Sequence, residues 1–198
     1  AHYPLHTEYR HGCPHCVEGK GISSQHKHKN EIVEEPLGTT VSMDYLSSVP
    51  EEEDDAMDAI LLGYDANRKS IWTMSVDKKG ATPSTVKWMV DKLEESGYSG
   101  VEVTLKSDQE PAILDLKKEI GIRRQASTVM IESPVRESKS NGAVERSVRT
   151  WQAQFRTLRH QFETRIGCKL RKGSNMMRWL VNFIGEVMSK YKVHANGR

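Results

Sequence analysis

Thr40-Val41-Ser42-Met43-Asp44-Tyr45-Leu46 decides the fold. Its β-branched and aromatic residues read as a strand, yet an acid stands in its middle. Asp is depleted in strands and its carboxylate is costly to desolvate there. Asp44 therefore either faces water from an edge strand or has a chemical reason to be where it is. Beyond it, the acidic turn Pro50-Glu51-Glu52-Glu53-Asp54-Asp55 leads to a second strand, Ala59 to Asp65. Ala66-Asn67-Arg68-Lys69 then turns the chain into a third strand, Ser70 to Val76. Three strands on short links imply an antiparallel meander.

Further along, Thr82 is a candidate N-cap and Pro83 suits the first position of a helix whose stripe is Val86, Met89, Val90 and Leu93. Gly97 marks its end. Val101 to Leu105 alternates as a fourth strand, and Pro111 opens a short helix that Gly121 is expected to terminate. Residues 124–131 supply a fifth strand. Val144, Val148, Trp151, Phe155, Leu158 and Phe162 then recur at steps of four and three, the spacing of a buried helix face, with Gly167 as terminator. Met176 to Val193 forms a last amphipathic helix, and Trp88 and Trp179 are expected in the core. The order implies an α/β fold, a mixed five-stranded sheet flanked by helices. Residues 1–38, rich in His, Gly, Ser and Lys, form a small Cys/His appendage, and residues 39–198 form the core domain.

The 198 residues allow one α/β domain with an appendage. No run reaches the eighteen or so apolar residues of a membrane helix, and the start lacks a secretory signal. The missing initiator Met suggests a piece of a longer polypeptide. Three cysteines without a signal point to a reducing compartment, nucleus or cytoplasm, rather than secretion. Net charge is only +2, but from Arg146 to Arg178 nine Lys and Arg face a single acid, Glu163. Such a half suits a phosphate-binding face, or simply a soluble helix surface.

Asp108 follows the fourth strand directly, in Lys106-Ser107-Asp108-Gln109-Glu110-Pro111. The fourth strand lies beside the first in sheets of this order, so Asp44 and Asp108 can face each other. Like charges that close repel by several kcal/mol at low effective dielectric. A divalent cation is the usual reason to tolerate them, and hard oxygen donors favour Mg²⁺ or Mn²⁺. Glu145 opens the long helix, with Arg149, Gln152, Arg156 and Arg159 continuing its flank toward a phosphate backbone. The plainer alternatives are a helix cap for Asp108 and a favourable N-terminal acid for Glu145.

Sixty-three residues separate Asp44 from Asp108, and thirty-six separate Asp108 from Glu145. That spacing resembles the D…D-x35-E signature of retroviral and retrotransposon integrases. The segment around Asp108 and the run Glu137-Ser138-Lys139-Ser140-Asn141-Gly142-Ala143-Val144-Glu145-Arg146 are most similar to copia-type polyproteins. The resemblance implies a ribonuclease-H-like fold and catalytic, metal-binding Asp44, Asp108 and Glu145. It also implies 3′-end processing and strand transfer on DNA, a multimeric assembly, and a loop over 133–142 that brings Lys139 and Asn141 to DNA alongside Arg149 and Arg156.

His2, His6, Cys13 and Cys16 offer two imidazoles and two thiolates, a tetrahedral Zn²⁺ set. Integrases carry a related module ahead of the core, but only six residues separate His6 from Cys13, so this site is shortened. His11, His15, His26 and His28 are rival ligands. Two other functions remain open: another ribonuclease-H-like nuclease, and a catalytically inactive DNA-binding or assembly module.

Overall fold

The computed structural model describes His2 and residues 4–20, 38–46, 59–133 and 142–191. In chain order it contains α1 (Pro14–Lys20), β1 (Thr39–Leu46), β2 (Ala59–Asp65), β3 (Ser70–Val76) and α2 (Pro83–Glu95). These are followed by β4 (Val103–Ser107), α3 (Pro111–Arg123), β5 (Thr128–Glu132), α4 (Gly142–Ile166) and α5 (Asn175–Tyr191). One sheet has the order β3-β2-β1-β4-β5. The β1–β2 and β2–β3 pairs are antiparallel, and β1–β4 and β4–β5 are parallel.

Strand alternation sends successive side chains to opposite faces, and both faces are covered, so the central strands are apolar on both. Val41, Met43, Tyr45 and Leu61 pack with Met89 and Leu93 of α2 and with Ile113, Leu116 and Ile120 of α3. Leu46, Ile60, Leu62 and Ile71 pack on the other side with Val144, Trp151 and Phe155 of α4 and Leu180 and Ile184 of α5. By that parity Ser42, Asp44 and Leu46 share the α4 face. Trp151, Phe155 and Leu158 are buried, which is why so polar a helix as α4 is held to the sheet. Thr82 caps α2 by accepting from the Thr85 N–H at 3.2 Å, and Gly97 leaves it with a φ of 79° that only glycine adopts without strain.

Four expectations are corrected. β4 starts at Val103, not Val101, because its partners begin there: Thr39 and Thr128 both pair with Val103. β5 starts at Thr128, because the Arg124 guanidinium first binds the Tyr98 and Val101 carbonyls at 2.9 Å each. Gly121 does not end α3. A Cβ there would sit 2.7 Å from Met130 Cε, so the glycine allows helix and strand to approach. Trp88 is partly buried against the core, but Trp179 is 48% exposed and stacks on Phe183 at 4.7 Å.

The appendage seats on α4. Gly19 lies so close to Thr157 that any side chain would overlap it. Gln154 Nε2 donates to the Leu5 carbonyl at 2.5 Å, and Arg156 Nε to the Gly19 carbonyl at 3.2 Å. His15 and His160 meet through their Nδ1 atoms at 3.2 Å. Among the described residues no helix is long and apolar enough to cross a membrane.

Candidate active site and metal centre

Parallel pairing of Ser42 with Lys106 carries Asp44 level with Asp108, two residues further along each strand path. Val103, Leu105 and Ser107 are the buried side of β4, so Asp108 continues the opposite side, the one Asp44 shares. Asp44 is half-buried and Asp108 exposed. Burial, and next the Asp108 charge, push the Asp44 carboxyl up to about 6, with Glu110 adding to the rise. Hydrogen bonding from the Tyr45 backbone and the Lys79 charge oppose it without cancelling it. Among the described residues Lys79 is the cation that acts on Asp44, and Lys117 feels Asp108 from α3.

The sequence pattern does not mark Lys79 as part of this cluster, and it reads Glu110, an acid that could replace a lost one, as pointing toward the next helix. Lys79 Nζ sits 2.8 Å from Glu110 Oε1 and 5.4 Å from the Tyr45 ring centroid. The Gly80 N–H donates to the Tyr45 hydroxyl at 3.0 Å, which ties the lysine's loop to β1. Glu110 takes the cap position of α3 without a side-chain cap bond. Asp108 lies outside the helix, its Oδ1 accepting from the Glu110 N–H at 3.1 Å, so it is not the cap. Lys117 is also new: it is 1% exposed and donates to the Ile131 carbonyl at 2.9 Å. Burial lowers its affinity for a proton, while Glu132 and Asp108 raise it. Its signal was visible, a lysine at i+4 from Ile113 on a stripe with Leu116 and Ile120.

Glu145 stands exposed in the first turn of α4, next to Val144, which shares a core cluster with Leu46. Among the described residues its carboxylate does not join those of Asp44 and Asp108 in a group close enough to hold one ion. The charges acting on Asp44 are those of Asp108, Glu110 and Lys79. Arg149 is exposed. Arg159 is committed to Glu163 at 2.8 Å, and Glu163 also accepts from the Leu170 N–H at 2.9 Å, which closes the far end of α4. Lys139, Asn141, His26 and His28 lie outside the described residues.

The second cluster is tight. The ligand atoms of His2, His6, Cys13 and Cys16 all lie within 4.8 Å of one another. The His6 N–H donates back to the His2 carbonyl at 2.7 Å, and the two imidazoles meet edge-on with centroids 4.5 Å apart. His6 has a φ of 49°, a strained value for a non-glycine residue, and its ring is buried. Cys13 precedes Pro14 and Cys16 lies in the first turn of α1, so both sulfurs face one side. Sulfur–nitrogen separations are 3.4, 3.5 and 3.6 Å. Zinc bonds of about 2.0 and 2.3 Å at tetrahedral angles imply roughly 3.5 Å. Burial, then His2, His15 and Lys20, hold His6 down to about 4, so its imidazole is neutral as a ligand must be. The residues fit zinc. Of the rivals, the two within the described residues are otherwise engaged, His15 with His160 and His11 edge-on to Tyr9 at 4.8 Å.

No protein-family profile matches the sequence, and no curated protein matches it. Solved structures do. The HTLV-2 integrase catalytic core domain in complex with magnesium, in trimeric form, aligns with a TM-score of 0.51 at 12% identity, over 81% of this chain and 92% of that one. A chain of the simian T-cell lymphotropic virus intasome in complex with PP2A regulatory subunit B56 gamma aligns at 0.58 and 12% identity, over 93% of this chain and 60% of that one. The fold is ribonuclease-H-like, as in integrase catalytic cores. In this ribonuclease-H-like sheet Asp44 and Asp108 sit at the C-terminal end of the parallel β1–β4 pair.

Proposed function

We propose that this chain is an integrase-type polynucleotidyl transferase, which trims the 3′ ends of a retroelement's DNA and joins them to a target strand. One observation supports this reading: on a ribonuclease-H-like sheet, Asp44 is half-buried and close enough to Asp108 for that charge to raise its carboxyl. Glu145 completes the set from α4. Mg²⁺ or Mn²⁺ held by the three carboxylates would supply Lewis acidity to the attacking and leaving oxygens. Carboxylate and water oxygens suit those ions.

Lys139, Asn141, Arg149 and Arg156 would meet the DNA backbone, Arg156 through the part of its guanidinium not donating to Gly19. His2, His6, Cys13 and Cys16 would hold Zn²⁺ in a structural role, since four protein ligands leave no open position. Residues 1–38 would then be a zinc-stabilised appendage and residues 39–198 the catalytic core, in a copia-type polyprotein. Partners would be element and target DNA and further copies of the chain, in the nucleus or cytoplasm. The trimeric core and the intasome among the structural neighbours support assembly.

Strand transfer on a short labelled duplex, with Mg²⁺ and with Mn²⁺, tests the reading. Joined products are expected from the wild-type chain. Asp108→Asn should reduce them by at least roughly a thousandfold while the melting temperature holds. Joining retained by that variant would remove the assignment, and cutting without joining would make the chain a simple nuclease.

A further inference from the structure

Between the appendage and the core lies a cleft of about 910 Å³. It is at the large end of the roughly 300–1,000 Å³ typical of ligand pockets. Tyr9, His11 and Lys20 form one wall, and Arg146, Arg149 and Thr150 of α4 the other. Among the described residues no acidic side chain lines it and neither arginine makes an ion pair. Arg146 and Arg149 are three apart on the helix and so project to one side, as a pair able to share an anion. Tyr9 is 41% exposed, with its ring edge-to-face against His11. Cations on one wall and an aromatic pair on the other match the two halves of a nucleotide, phosphate and base.

We infer that this cleft takes an unpaired nucleotide of a DNA strand, its phosphate on Arg146 and Arg149 and its base on Tyr9. In a duplex the base faces are already stacked, so only an unpaired base can meet the ring. The cleft begins one residue beyond Glu145, and Arg149 is one helical turn from it. A strand leaving the carboxylates would enter it directly. The inference rests on the proposed function in taking DNA as the ligand, but it concerns a site that the carboxylates do not form.

Binding by the full chain, with its zinc retained and no Mg²⁺ or Mn²⁺ present, separates the two ideas because no catalysis is read. Fluorescent duplexes with a three-nucleotide overhang and with blunt ends are compared by anisotropy. The overhang should bind roughly tenfold tighter, Tyr9→Ala should abolish that preference, and Tyr9→Phe should keep it. Arg149→Ala should weaken both duplexes, the overhang more, while Lys118→Ala on α3 should change neither. Deoxyadenosine monophosphate should displace the overhang at concentrations where inorganic phosphate does not. Equal affinity for both duplexes, a preference that survives Tyr9→Ala, or displacement by phosphate alone would overturn the inference. Loss of strand transfer with the preference intact would count against the proposed catalysis only.

Discussion

The carboxylate pair at the end of β1 and β4 and the His/Cys knot of the appendage are built in opposite ways. The knot is closed: four donors converge, two of them buried, and all its ligand atoms lie within 4.8 Å. The carboxylates are open: Asp44 is half-buried, Asp108 and Glu145 are exposed, and their oxygens are hard donors. A closed soft set suits an ion that holds the chain together, and an open hard set leaves room for a ligand to share the ion. On the proposed reading, metal chemistry in one small protein would divide by burial as well as by donor type.

Breaking the knot should have the largest effect. Cys13→Ser with Cys16→Ser is expected to remove close to one zinc per chain and to expose residues 4–20 to fast hydrogen exchange. Structural zinc contributes on the order of 10 kcal/mol to small modules. Zinc content by atomic absorption decides it, and a chain purified without zinc yet protected over 4–20 would sink the assignment. Next comes the seat of the knot. Gly19→Ala should push α1 off Thr157 at a cost of about 1–3 kcal/mol. Proteolysis should then release the appendage while the core's far-ultraviolet spectrum is kept.

The carboxylate side should respond with the opposite sign. The folded Asp44 carboxyl titrates near 6, above its ordinary 3.8, so the folded chain binds this proton more tightly than the unfolded one. Stability from this group is present below pH 4, falls as pH rises through 6, and is fully lost above it. Asp44→Asn should therefore stabilise the metal-free chain at pH 8 and leave it unchanged at pH 3.5. At about 1.4 kcal/mol per pH unit, discounted for partial exposure, the gain is roughly 1–2 kcal/mol. Denaturant midpoints at the two pH values check this. Mg²⁺ should raise the melting temperature of the wild-type chain at pH 8 and not at pH 5. The smallest effect belongs to Lys79→Gln, which removes a half-exposed ion pair worth less than about 1 kcal/mol. It should move the Asp44 titration to higher pH, and an unchanged midpoint by nuclear magnetic resonance would show that Lys79 does not reach it.

Much of this was legible from local pattern. β2 and β3 run from Ala59 to Asp65 and from Ser70 to Val76, the residues that alternation and turn chemistry select. The α2 stripe and the Thr82 cap are local signals too. Misreadings occurred where partners distant in the chain set the outcome. Val101 has the right residue type for β4 but no partner strand, and Gly121 is read as a stop until Met130 is seen against it. Trp179 has helical spacing with the core but lies on the outer side of α5. At the site, Asp44 betrayed itself as an acid inside a strand. Lys79 and Glu110 did not, because an exposed lysine and an acid before a proline are ordinary until the fold sets the lysine over Tyr45 and pairs it with the acid.

The α4 helix carries Glu145 in its first turn and receives the appendage at Gln154, Arg156 and His160. One inserted residue between these points would rotate everything beyond it by about 100° and advance it by about 1.5 Å. If Glu145 kept its outlook on the sheet, the appendage would swing off its seat; if the appendage stayed, the acid would turn away. The stretch from Glu145 to His160 therefore tolerates substitution on its outer side but not insertion or deletion, and a pair of compensating length changes cannot restore both registers unless both fall inside it.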